Sequence, residues 1–366
     1  RSDNWSDGDG CTSIIVANGG TVDGGTMTTH TNDCMECDFR ISRVPAADHD
    51  EGSYRQLYNY RAAYPRFLGE GRGDTYEPGN TDLSIHPWQA DQGPFAPMGS
   101  IPQVPHTYSY IDGAYGIMNE HQLAIGESTC GAKLTAASVS NGGQALLEIS
   151  TLTRIALERC TTARCAVSLM GKLAFDLGYF GADTTKGEGG ESLQVADPTE
   201  AWVFHVCADD TGKSAVWAAQ KVPKGHIAAV ANQFIIGKVH LADTDNFLGS
   251  TNLLEVATRA GFWDAKTQGE IVDFTQAFAL DRGLLSPYAN RRRWRLMTLA
   301  APSRAHELPA ECSSLADEYP FSIQARFLFC HVLKRFIECL GLLRTKIPGS
   351  LSFRTSSFSS NHASPR

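Results

Sequence analysis

An α+β fold built on antiparallel sheets is predicted by three features of the sequence. Apolar residues alternate with a period of two over roughly residues 12–31 and again over 192–234, and with a helical period only between them, so strands, helices and strands follow in blocks. No strand–helix–strand alternation, internal repeat or Gly-rich phosphate loop is present, which argues against a parallel doubly wound sheet. With 366 residues, 42% apolar and 20% charged, the chain can bury a large core as one large domain or two ordinary ones, and it is neither disordered nor collagen-like as a whole.

Taken in order, residues 1–10 (RSDNWSDGDG) are polar and acidic without periodicity and read as an unstructured leader. Residues 12–17 (TSIIVA) are rich in β-branched side chains, residues 18–25 supply turn residues, and 26–31 (TMTTHT) are β-prone again, which makes a hairpin with Cys11 at its mouth. Residues 45–107, rich in Pro, Gly and Tyr, read as long ordered loops with short elements. A second hairpin is expected from 114–119 and 123–128, turning at 120–122. Ala163, Ala166, Val167, Met170, Leu173, Ala174 and Leu177 fall on one helix face, and Leu152, Ile155 and Ala156 give the preceding helix a similar stripe. Strands are then expected at 192–196, 201–206, 215–220 and 227–234, with turns at Asp197-Pro198 and Asp209-Asp210-Thr211-Gly212.

The formal charge of −8 is unevenly spread: residues 326–366 carry seven Lys/Arg against Glu338 alone, a net of +6 that leaves −14 on residues 1–325. An acidic main part argues against a nucleic-acid binder. The tail ends in a Ser-rich run, 350–364, and its apolar stretch at 327–343 is interrupted by Lys334, Arg335 and Glu338, too short and too charged to be read as a membrane span. The boundaries expected are a leader at 1–10, a main domain at 11–325 and a divergent basic tail at 326–366.

Cys11 directly follows Gly10 at the end of the leader. Cleavage there would give it a free α-amine beside its own thiol, and an α-amine titrating near neutrality can serve as general base for that nucleophile.

Several separated motifs resemble the dipeptidase–secernin family, family 69 of the cysteine peptidases. They are Cys11-Thr12-Ser13-Ile14-Ile15-Val16, Asp23-Gly24-Gly25-Thr26-Met27 and His30-Thr31-Asn32-Asp33-Cys34, then the run from Tyr115 to Ser128. They continue in Glu200-Ala201-Trp202-Val203-Phe204-His205, the run from Asp210 to Trp217, Val230-Ala231-Asn232-Gln233-Phe234, and the stretch from Tyr288 to Ser303 with its arginines. The resemblance spans roughly residues 11–325 and implies a four-layer αββα N-terminal-nucleophile (Ntn) hydrolase sandwich with two antiparallel sheets, incomplete at the C-terminus where the likeness stops. It further implies a cysteine-type dipeptidase that acts on short peptides through an acyl-enzyme after autoproteolytic removal of the leader, without metal or organic cofactor. Cys11 would be the nucleophile, Asp33 would orient it and its amine, and Asn119 and Asn232 would hold the oxyanion or the amine. Arg292 or Arg295 would lie beside it. Where many members carry Arg-Asn in the first hairpin, this chain carries His30-Thr31. Two other readings share the resemblance: an amidase of the same fold acting on a non-peptide amide, and a non-catalytic secernin-like protein of regulated secretion.

Of the other cysteines, Cys34-Met35-Glu36-Cys37 is a CxxC, read as a local disulfide or a pair of thiols rather than a zinc site, because no second ligand pair has suitable spacing. Cys130, Cys207 and the remainder are expected in the core. Cysteine usage favours a secreted or vesicular, lysosome-like route over the cytoplasm. The partners expected are short peptides, with no nucleic acid; a homo-oligomer is compatible with the sequence.

Overall fold

A computed structural model describes residues 11–32, 41–59, 97–181, 188–280, 287–308 and 321–324. Contacts divide the chain into Arg1–Phe329 and Cys330–Arg366, and every described residue belongs to the first unit. The leader, the CxxC and the tail with its apolar stretch lie outside the described residues.

The first hairpin is β1 (Thr12–Val16) and β2 (Met27–Thr31), paired antiparallel from Thr12 opposite Thr31 to Val16 opposite Met27. On its other side β1 pairs with β14 (His226–Val230), which carries the short β16 (Ile323–Gln324), giving the order β16-β14-β1-β2. β1 is buried along its whole length, as its Ile-Ile-Val run requires.

The second sheet runs β15-β13-β12-β11-β10-β9-β8-β3, antiparallel throughout. Its centre is β10 (Ala124–Cys130), β11 (Gly190–Ala196), β12 (Ala201–Ala208) and β13 (Ala215–Lys221). One edge is β15 (Phe247–Gly249); the other is β9 (Gly116–Asn119), β8 (Tyr110–Asp112) and β3 (Ser42–Val44). β12 is buried at every position because its two faces serve two cores. Trp202, Phe204 and Val206 meet α1 (Ile149–Arg159) and α2 (Ala163–Leu177). Ala201, Val203 and Cys207 meet Ile15, Ala228 and Val230 of the other sheet, with Phe274 and Phe278 of α5 (Phe274–Phe278) alongside. The sheets touch at Gly126, where a Cβ would come 2.9 Å from Thr28 Oγ1. Helix α6 (Pro287–Ala300) packs on β14, on the far side of the first sheet. Helix, sheet, sheet and helix thus stack as the four-layer αββα sandwich expected.

Two local differences from the expectation have physical causes. β14 stops at Val230, not at 234, because Asn232 adopts φ +60, in the left-handed region that no strand sustains. α1 is buried almost all round rather than along one stripe. Its polar side is covered by β5 (Tyr54–Leu57) and β8, with Glu158 accepting from Arg55 at 3.2 and 3.3 Å and Arg154 Nε donating to both oxygens of Asp112 at 3.1 Å. The described part of residues 45–107 carries short elements, as expected: β5 pairs with β6 (Gly99–Pro102), and β4 (Ala47–Asp48) with β7 (His106–Thr107).

Candidate active site

Cys11 sits immediately before β1, buried, at the point where β1, β10 and α6 converge. Arg292, from α6, fixes this point as a fork. Its Nη1 donates to Cys11 O at 2.6 Å and to Thr12 Oγ1 at 2.8 Å, while Nη2 donates to Asn232 Oδ1 at 2.8 Å and Ala231 O at 3.4 Å. Five N–H donors in a rigid plane make this bridging geometry an arginine property that a lysine ammonium does not reproduce. Thr12 N donates to Thr31 Oγ1 at 3.1 Å, tying the start of β1 to the end of β2.

Asn232 is the second anchor. Its left-handed backbone follows β14, Nδ2 donates to Thr129 O at 2.7 Å and the backbone N–H to Ser128 Oγ at 3.0 Å. Asparagine tolerates this conformation better than most residues. The next residue continues the link to α6, with Gln233 Nε2 donating to Asn290 Oδ1 at 3.0 Å. Further on, the backbone N–H groups of Ile235 and Ile236 donate to His205 Nε2 at 2.9 and 3.3 Å. Burial pushes His205 down to about 3, so the ring is neutral and its Nε2 remains an acceptor at any physiological pH.

Three described cysteines are reduced: Cys11, Cys130 and Cys207. Burial pushes the thiols of Cys130 and Cys207 well up, helped at Cys130 by the nearby charges of Glu191 and Glu127 and opposed by Arg292. Both are therefore held as neutral thiols, the inert form of a structural cysteine. Cys160 is buried as expected, but Cys165 is exposed and not in the core: the chain turns sharply between α1 and α2 and joins the two in a disulfide with Cα atoms 5.6 Å apart.

The structure brings together Cys11, Asn232 and Arg292. Of the two arginine candidates it is Arg292 that reaches Cys11; Arg295 is exposed. Asn119 is not brought to this group. Its Nδ2 donates to Leu157 O at 3.0 Å and Cys160 O at 2.8 Å, and its Oδ1 accepts from His121 N and Leu123 N. Every hydrogen-bonding position of that amide is spent on backbone, so the oxyanion role expected for it does not fit its bonds. Asp33 lies outside the described residues. His30, on β2 opposite Ser13, meets Tyr115 edge-on at 6.3 Å between ring centres; burial lowers its pKa and Glu127 opposes this. Sequence reasoning missed Ser128, Thr129 and Thr12. Ser128 stands in one of the motifs quoted, but a serine inside a strand carries no chemical signal until its neighbours are known. Among the described residues no group of three or more His, Cys, Asp or Glu side chains is placed to hold a metal ion, and no helix is long and apolar enough to cross a membrane.

A family model, Peptidase family C69, matches residues 109–324, more than half of the chain. The chain belongs to peptidase family C69. The matched span holds Asn119, Ser128, Asn232 and Arg292, while Cys11 and Asp33 precede it. A curated relative named "Probable dipeptidase", from Latilactobacillus sakei, is 25% identical over 287 residues, which cover 78% of this chain and 51% of the relative. The chain thus spans about half the length of this curated relative.

Proposed function

We propose that the protein is a cysteine-type dipeptidase whose nucleophile is Cys11, made N-terminal by removal of residues 1–10. The observation that carries this reading is the clamp by which Arg292 holds the Cys11 carbonyl and Asn232 together. Family membership and the relative's printed name support the peptidase class.

In this reading the α-amine of Cys11 takes the thiol proton as Sγ attacks the scissile carbonyl of a short peptide. The tetrahedral oxyanion collapses, the C–N bond breaks and the leaving amine receives the proton from the α-ammonium. Water then attacks the thioester, releasing the acid and restoring the thiol. One N–H of Asn232 is given to Thr129 O; the other is the donor proposed for the oxyanion, a role typically worth about 10²–10³ in kcat. Asp33 is proposed to hold the ammonium form. The main domain is proposed as residues 11–325, between the leader and the basic tail.

Two measurements test this. N-terminal sequencing and intact mass of the purified protein are expected to show Cys11 as the first residue; persistence of the leader in an active preparation removes the mechanism. Cys11→Ala is expected to lose roughly 10³-fold or more of dipeptide turnover, and unchanged turnover would falsify the assignment.

A further inference from the structure

We infer that Ser128 is a positioning residue for the Cys11 nucleophile, an inference that rests on the dipeptidase reading above. Ser128 lies on β10, fully buried, with its hydroxyl turned toward the start of β1. Its Oγ accepts the backbone N–H of Asn232 at 3.0 Å and donates to Cys11 O at a longer 3.4 Å. Only a group with both a proton and lone pairs can serve these two neighbours at once, and a hydroxyl is the smallest that does.

The two bonds matter because of what they close. Asn232 leaves β14 in a left-handed conformation, so its N–H is lost to the strand ladder and needs another acceptor inside the protein. Ser128 supplies it, and the next residue of the same strand, Thr129, takes the Asn232 side chain through its carbonyl. Arg292 joins Asn232 Oδ1 back to Cys11 O. Cys11, Ser128, Asn232 and Arg292 thus form one ring of hydrogen bonds, and the strand β10 is the part of it that does not depend on α6. Loss of the Ser128 hydroxyl strands the Asn232 N–H and leaves Arg292 to hold the Cys11 carbonyl, so the nucleophile and the oxyanion donor lose register with each other. A shift of that kind costs rate more than substrate binding.

The test uses the full chain with Ser128→Ala, Ser128→Thr and, as a comparator, Ser250→Ala, a buried serine just after β15 whose hydroxyl likewise accepts a backbone N–H, that of Trp217 at 3.1 Å, and donates to a carbonyl, Trp217 O, at 3.4 Å. Steady-state kinetics on a dipeptide and the pH profile of Cys11 alkylation by iodoacetamide, followed by peptide mass, are the readouts. Ser128→Ala is expected to lower kcat by about 10–100-fold with KM within about threefold, and to move the alkylation profile. Ser128→Thr, which keeps the hydroxyl, is expected to recover most of the rate, and Ser250→Ala to match wild type. Retention of kcat within about twofold in Ser128→Ala, or an equal loss in Ser250→Ala, overturns the inference. Should Ser128→Ala not fold, Ser128→Cys, a weaker donor of similar size, is read by turnover against the same limits. If the wild type hydrolyses no dipeptide, the dipeptidase reading fails separately, and the alkylation profiles of wild type and Ser128→Ala then decide: superimposed profiles overturn the role of Ser128 and a shift supports it.

Discussion

Asn119 spends its amide on four backbone groups, two at the C-terminal end of α1 and two in the turn after β9. Asn232 spends its own on a bridge between β10 and α6. Nothing in the sequence separates them, since an asparagine before a Glu-His-Gln turn and one after a strand have the same chemistry until their partners are placed. The bonds predict different outcomes. Asn119→Ala is expected to cost about 1–3 kcal/mol in urea unfolding, the penalty of buried groups left unmade, with the kcat of the folded fraction unchanged. A kcat loss at unchanged stability would return Asn119 to the site. Arg292→Lys keeps the charge and loses the fork, so turnover is expected to fall by about 10²-fold while Arg295→Lys is silent; equal effects of the two substitutions would contradict the placement of Arg292.

At the scale of elements, the buried strands and α2 were legible because their side-chain periods of two and 3.6 follow directly from burial on one or two faces. The short α3 (Leu253–Arg259), α4 (Ala265–Gln268) and α5 were not, since one or two turns give no period to read. Nor was the polar side of α1, whose Arg154 and Glu158 look like a solvated face until Asp112 and Arg55, more than 40 residues away, cover them. The site was half legible: the motifs named Cys11, Asn232 and an arginine, but which arginine depends on how α6 lies on β14. The elbow between α1 and α2 is a meeting of several restraints. The Cys160–Cys165 bridge spans it, Thr162 accepts from Cys165 N, and Asp197 accepts from Ala163 N at 2.7 Å. Reduction is expected to add two daltons to the peptide that holds both cysteines and to lower stability by on the order of 2 kcal/mol, the loop-closure value for so short a span. Absence of that mass gain on reduction would rule the bridge out.

For the whole molecule, the two sheets and the helices on their outer faces leave almost every interior strand covered twice, and the cost is a set of polar groups locked far from water. Among the described residues His205 carries a large pH signature. Its folded pKa of about 3 lies below the free value of 6.5, so the unfolded chain binds the proton first. The stability held in the neutral ring is fully present above about pH 6.5 and is lost as pH falls from there toward 3. Urea midpoints are expected to drop across that window, and less steeply for His205→Gln, whose amide oxygen still accepts the N–H of Ile235. Parallel curves for the two proteins would show that His205 does not set acid sensitivity.

The bonds that fix the Cys11 end of the first hairpin have a consequence for the proposed removal of residues 1–10. Arg292 and Ser128 grip the carbonyl of Cys11 and the hydroxyl of Thr12, atoms that lie after the bond to Gly10 and are untouched when it is cut. Under the maturation proposed above, the chain before and after the cut would share one lock, and trimming would unmask an amine in a scaffold already assembled instead of triggering a rearrangement. Hydrogen exchange of the β1 amides is expected to be the same in an uncleavable Cys11→Ala precursor as in the processed protein, and faster exchange in the precursor would mean that the cut itself builds the site.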